Sequence, residues 1–95
     1  MQIVMVPLDL ILPPRLPMRE EMDPQAFREL VADVRVRGLL QPLVVSPEGD
    51  RYRLAAGFRR WRACRKAGHL EVPCVVRSLS ELELKTTMVV ENLHR

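Results

Sequence analysis

The alternation of apolar and polar positions divides the chain into short strands and three helices, with most breaks marked by glycine or proline. Ile3 to Val6 is an apolar run of strand length, and Pro13, Pro14 and Pro17 make a stiff connector after the opening segment. Asp23 followed by Pro24 reads as an N-cap with proline at the first helical position. Phe27, Leu30, Val31 and Val34 then recur at helical spacing until Gly38 stops the helix. Leu43-Val44-Val45 predicts a buried strand, Pro47-Glu48-Gly49-Asp50 a turn, and Arg51 to Ala55 the alternating strand that returns, so the three form a hairpin. Gly57 opens a second helix that ends at Gly68, Val72 to Val76 supplies another strand, and Ser80 with Glu83 makes a capping box for a third helix. The expected fold is α/β (α+β): one small domain over 1–95, with a mixed sheet packed by about three helices. The order of the strands is not encoded in the pattern.

Composition narrows this picture. A chain of 95 residues buries only about 60 to 65% of the surface its unfolded form exposes. With 47% hydrophobic and 4% aromatic residues, the core is built from Leu, Val, Ile, Met and Ala rather than from stacked rings. Cys64 and Cys74 have neither a metal-ligand spacing nor the pattern of a secreted disulfide framework, so two reduced, buried thiols are expected. The opening MQIVMVPLDLILPP has no basic flank and no small-residue cleavage site, and Asp9 interrupts its apolar run. No signal peptide or membrane span is expected, and the cytoplasm is the expected compartment.

Charge locates the chemistry. The net charge of +3 fits an anionic partner without requiring one, but Arg51, Arg53, Arg59, Arg60, Arg62, Arg65 and Lys66 fall together with no Asp or Glu between them. Within that block Gly57 stands at the junction of a strand and a helix that begins Phe58-Arg59-Arg60. A helix start presents unpaired N–H groups and about half a positive charge, and glycine permits the close backbone approach that a phosphate needs. At helical spacing Arg59, Arg62 and Lys66 lie within about 60° of one another, opposite Trp61, Cys64 and Ala67. A solvated basic face explains this pattern as well as an anion site does; the glycine at the helix entrance favours the anion site. In Glu91-Asn92-Leu93-His94-Arg95, Glu91 and Arg95 have the spacing of a surface ion pair worth roughly 0.3 to 0.5 kcal/mol, while a carboxylate beside an amide also suits magnesium. Gly38 and Pro42 account for the step Gly38-Leu39-Leu40-Gln41-Pro42 as a helix stop and strand start, with Gln41 able to reach a base edge.

These segments, in this order and at this spacing, resemble the ParB/sulfiredoxin-like domain, and specifically the N-terminal domain of ParB proteins. The motifs that carry the resemblance are Gly38-Leu39-Leu40-Gln41-Pro42, Gly57-Phe58-Arg59-Arg60-Trp61-Arg62-Ala63, Gly68-His69-Leu70-Glu71-Val72-Pro73 and Glu91-Asn92-Leu93-His94-Arg95, and together they cover essentially the whole chain. The resemblance implies a CTP-binding module that closes as a homodimer around DNA, with Mg2+ at the triphosphate and a partition ATPase as a further partner. It implies no membrane and a cytoplasmic location on nucleoid or plasmid DNA. Carried over residue by residue, it assigns Gly57, Arg59, Arg60 and Arg62 to the phosphate box, Asn92 and Arg95 to the second triphosphate segment, and Glu91 with Asn92 to the metal. Arg19, in Pro17-Met18-Arg19, is similar to the arginine that ends the family's N-terminal segment, and Gln41 joins the nucleotide-binding set. The helix-turn-helix that reads DNA in this family is expected beyond Arg95.

One departure changes the expectation. Phe58 stands where the family has an acid after the box glycine, and a phenyl ring can neither orient water nor hold a metal; nucleotide binding is therefore expected rather than CTP hydrolysis. Three other readings share the fold. A sulfiredoxin-type reductase needs a nucleophilic cysteine at the place of Phe58, whereas Cys64 is expected on the packed side of its helix. A metal-dependent nuclease needs clustered carboxylates and histidines, of which Glu91 is one. A nucleotide-free adaptor would use the fold only to dimerise or dock.

Overall fold

In the computed structural model, residues 2–17 and 22–93 are described. Strand β1 (Ile3–Pro7) leads through a single 3-10 turn (Leu8–Leu10) into the two-residue strand β2 (Ile11–Leu12). Helix α1 (Pro24–Arg37), the hairpin β3 (Leu43–Glu48) and β4 (Arg51–Ala56), helix α2 (Phe58–Ala67), strand β5 (Glu71–Val76) and helix α3 (Glu81–Leu93) follow. The five strands form one mixed sheet in the order β1-β5-β3-β4-β2. Antiparallel pairs join β1 to β5 and β3 to β4, while β3 runs parallel to β5 and β2 parallel to β4. The expected α/β fold with a mixed sheet and three helices is the observed one.

Local chemistry explains the ends of the elements. The Asp23 carboxylate accepts from the Ala26 amide at 3.0 Å with Pro24 in the first turn, and the Gly38 amide closes α1 on the Val34 carbonyl at 2.8 Å. At α3 the capping box forms in both directions: the Ser80 amide donates to Glu83 at 2.9 Å and the Glu83 amide to the Ser80 hydroxyl at 3.1 Å.

Two details differ from the pattern's prediction. Strand β3 continues through Pro47 to Glu48, so the turn is confined to Gly49 and Asp50. Strand β5 pairs with β3 only as far as Val45, so the missing Pro47 N–H forfeits no ladder bond on that side. The 3-10 turn and β2 are also absent from the reading of the sequence. They are too short to leave a periodic signal, yet Ile11 is buried and β2 covers the free edge of β4.

Leu43, Val45 and Leu54 from the hairpin, Val6 from the edge strand β1, Val72 from its neighbour β5, Val34 from α1 and Trp61 and Cys64 from α2 share one core. Each large apolar side chain so buried contributes about 1.5–3 kcal/mol. On the α3 side, Leu84 and Met88 turn inward against the sheet, and β4 is the strand α3 packs on. The hairpin therefore fixes the start of α2 on one end of β4 while α3 crosses beside it, and the site lies at that junction.

Candidate functional site

Strand β4 delivers the chain directly into α2 through Gly57, which has φ +99° and is buried. A Cβ there would stand 2.6 Å from Leu43 Cδ2 and 3.4 Å from Arg60 Nη2, so the missing side chain is what lets Leu43 and the Arg60 guanidinium close over the backbone. Glycine supplies no capping side chain of its own. The cap comes instead from α3: the Gly57 amide donates to Glu91 Oε2 at 2.6 Å, and the Phe58 amide to Oε1 at 3.4 Å. A carboxylate thus sits on the positive end of α2, where the helix dipole and the unpaired first-turn amides favour negative charge.

The arginines around this point reach different partners. Arg60 turns toward the Gly38–Pro42 step, donating through Nη1 to the Gln41 carbonyl at 3.2 Å, to Gln41 Oε1 at 3.1 Å and to the Pro42 carbonyl at 3.5 Å. Gln41 and Arg60 line a cavity of about 280 Å³ with Leu30, Asp33, Leu39 and Leu40. Arg59 is half-buried, and its Nε lies out of solvent contact with no acceptor among the described residues. A buried guanidinium nitrogen without an acceptor is costly, and an incoming oxyanion would supply one. The Arg62 guanidinium lies 4.8 Å from the Phe27 ring centroid and 5.8 Å from that of Phe58.

Among the other expected site residues, the side chain of Asn92 is exposed and makes no hydrogen bond to a described residue. Arg19 and Arg95 lie outside the described residues, and with Arg95 the expected ion pair to Glu91. The structure therefore brings together Gly57, Arg60, Gln41 and Glu91, with Arg59 alongside. The Phe58 amide and the Pro42 carbonyl belong to the same junction, and the sequence does not signal either, because backbone groups carry no residue-type signature.

Phe58 and Cys64 show what the remaining positions do. Phe58 is buried, with its ring centroid 5.9 Å from that of Trp61, so the position after the glycine serves the core. Cys64 and Cys74 are free and buried, and burial pushes both thiols up to about 11, with the Arg60 charge opposing the shift at Cys64. A thiol held protonated in the core is not a nucleophile.

The fold and this junction define a class: a small α/β domain whose central helix opens on a glycine and presents its first amides to an oxygen anion. The chain belongs to the ParB N-terminal domain family, whose model matches residues 1–93. It is 47% identical over 94 residues to the chromosome-partitioning protein Spo0J of Thermus thermophilus, covering 98% of this chain and 35% of that protein. The C-terminally truncated chromosome-partitioning protein ParB of Caulobacter crescentus, complexed with CTP-gamma-S, superposes with a TM-score of 0.84 at 30% identity, over 99% of this chain and 54% of that one. The same protein complexed to the centromeric parS site gives 0.80 at 29% identity, over 97% and 48%. Sulfiredoxin from Arabidopsis thaliana gives 0.73 at 27% identity, over 90% and 96%. The chain thus spans about a third of the curated relative. Among the described residues no helix is long and apolar enough to cross a membrane.

Proposed function

We propose that this chain is the nucleotide-binding, dimerising domain of a ParB-type DNA-partitioning or DNA-binding regulatory protein, with CTP as the nucleotide. The observation that carries the reading is the Glu91 carboxylate held by the Gly57 and Phe58 amides, because it identifies a pair of backbone donors already shaped for an oxygen anion. The chain's likeness to a ParB solved with CTP-gamma-S supports the identity of the anion. In this reading Gly57 and Phe58 donate backbone N–H groups to the triphosphate, and Arg59, Arg60 and Arg62 neutralise it. Gln41 faces the base from the neighbouring cavity. Arg19, Asn92 and Arg95 complete the nucleotide set.

Magnesium fits this donor set in a limited way. No group of three or more His, Cys, Asp or Glu comes together among the described residues, so the ion would be held by phosphate oxygens with Glu91 and Asn92 as the protein ligands. When bound it supplies charge neutralisation at the phosphates. With Phe58 built into the core, the position that follows Gly57 carries no acid to orient a water. Binding is therefore favoured over hydrolysis. The same absence of a carboxylate and histidine cluster disfavours a metal-dependent nuclease, and the core position of Cys64 disfavours a reductase.

Homodimerisation is supported by the outer face of α3, where Leu82, Val89 and Leu93 share one side and are 74%, 49% and 75% exposed. DNA contact, a partition ATPase and residence on cytoplasmic nucleoid or plasmid DNA belong to the longer protein in which such a domain works, with a helix-turn-helix as its DNA reader.

Calorimetry with CTP and magnesium tests the reading. The wild type binds, and Arg59→Ala with Arg60→Ala abolishes binding while the far-ultraviolet circular dichroism is retained. Unchanged affinity in the double variant overturns the assignment. Silence of the wild type toward CTP, with dimerisation intact, supports a nucleotide-free adaptor instead.

A further inference from the structure

The donors that a polyphosphate needs are engaged by the protein's own carboxylate. Oε2 of Glu91 lies 2.6 Å from the Gly57 nitrogen, within the range of a charge-assisted bond, and the Phe58 amide is committed to the other oxygen of the same group. A backbone N–H makes one good hydrogen bond, so a phosphate oxygen and the Glu91 carboxylate cannot both be served by it. They also carry the same sign of charge, which disfavours side-by-side occupancy in a partly buried site.

The geometry points to Glu91 as an internal competitor that sets the selectivity of this helix start. We infer that a bare polyanion must displace the carboxylate before it can reach Gly57 and Phe58, so that Glu91 screens out metal-free phosphates and inorganic phosphate at a site that remains strongly cationic. The placement of α3 is consistent with a displaceable contact. Its first half is anchored by the Ser80 capping box, by Arg15 on Glu81 and by the buried Leu84 and Met88. Past Met88 the exposed Val89, Val90 and Leu93 contribute little packing, and Glu91 supplies the hydrogen bonds that tie this end to the fold. Removing the carboxylate leaves the Gly57 amide, the Phe58 amide and the Arg59 and Arg60 charges unopposed.

This inference rests on the nucleotide-binding reading, and the experiment separates the two. The affinity for inorganic triphosphate is measured by calorimetry in the presence of EDTA for the wild type, Glu91→Gln and Glu91→Ala. The amide resonance of Gly57 is followed by NMR in the same samples. Glu91→Gln keeps the shape of the contact and removes its charge, and it carries the test if Glu91→Ala unfolds. The expected result is triphosphate binding about tenfold tighter in either variant than in the wild type, the increment of one charge-assisted contact. The Gly57 amide should move on substitution and move again on titration. Equal or weaker triphosphate binding in both variants, with the wild type still binding CTP and magnesium, overturns the competition and leaves the nucleotide reading standing. If no form binds triphosphate or CTP under any of these conditions, both fail together.

Discussion

At Gly57 two separate demands fall on one residue. The backbone must take φ +99° to turn strand β4 into α2, and the space where a Cβ would stand is closed by Leu43, itself fully buried. Gly57→Ala therefore meets the left-handed penalty and an overpacked core at once, and is expected to destabilise the domain by about 2–4 kcal/mol. Urea unfolding measures it; a loss well under 1 kcal/mol would mean that Leu43 and the turn yield freely. The glycine was legible as a helix opener from the sequence, and so was its place beside consecutive arginines. The direction each arginine takes was not. Arg60 goes to Gln41 and Arg62 to Phe27 because hydrogen-bond acceptors and aromatic rings from other elements attract them, which helical spacing does not encode. Phe58 was legible only as a departure from the family's acid; the structure gives it a place in the core against Trp61.

The elements are defined by their ends, and the ends differ in how much of their chemistry is local. Those of α1 and the start of α3 were readable because Asp23, Gly38, Ser80 and Glu83 act within four residues of their partners. The start of α2 was not, because its cap, Glu91, lies 34 positions away. The approach to α3 is also held at long range, by Ser46 of β3, whose buried hydroxyl accepts from the Leu79 amide at 2.9 Å. Ser46→Ala leaves that amide without its partner and is expected to cost about 1–3 kcal/mol in denaturant unfolding. The capping box predicts a pH dependence. Bonds from the Ser80 backbone and side chain hold the Glu83 carboxyl below its ordinary value. A depressed folded value means that this contribution is present above the ordinary carboxylate range and disappears as pH falls through the lowered one. Glu83→Gln, which keeps an acceptor for the Ser80 amide but carries no charge, should therefore differ less from the wild type in acid than near neutrality. Thermal melts at the two pH values measure the gap, and a gap that stays constant shows that the charge of Glu83 is not its source.

Across the whole molecule, the sequence carried the fold class and the hairpin, while the order β1-β5-β3-β4-β2 emerges from pairings between distant segments that periodicity cannot rank. Long-range charge does similar work: Arg15, from the proline-rich connector, meets both Glu48 of the hairpin and Glu81 of α3, and Arg53 bonds Glu48 at 2.5 Å. Arg53 and then Arg15 hold the Glu48 carboxyl below its ordinary value, although on so exposed a group the effect is screened. The thiols are the sharper global probe, because Cys64 of α2 and Cys74 of β5 lie in the same core and are fully shielded. Burial raises both from an ordinary value of 9.0 to about 11. Unfolded thiols therefore ionise first as pH rises, so the native state keeps its full stability below the ordinary value and loses it progressively through the window up to about 11. The melting temperature should fall across that window, and a thiol reagent should react only at the rate of global unfolding. Replacing both cysteines with alanine lowers stability at neutral pH by leaving cavities, yet it should flatten the alkaline decline. A double variant that declines as steeply as the wild type would show that the thiols are not the source of the alkaline loss.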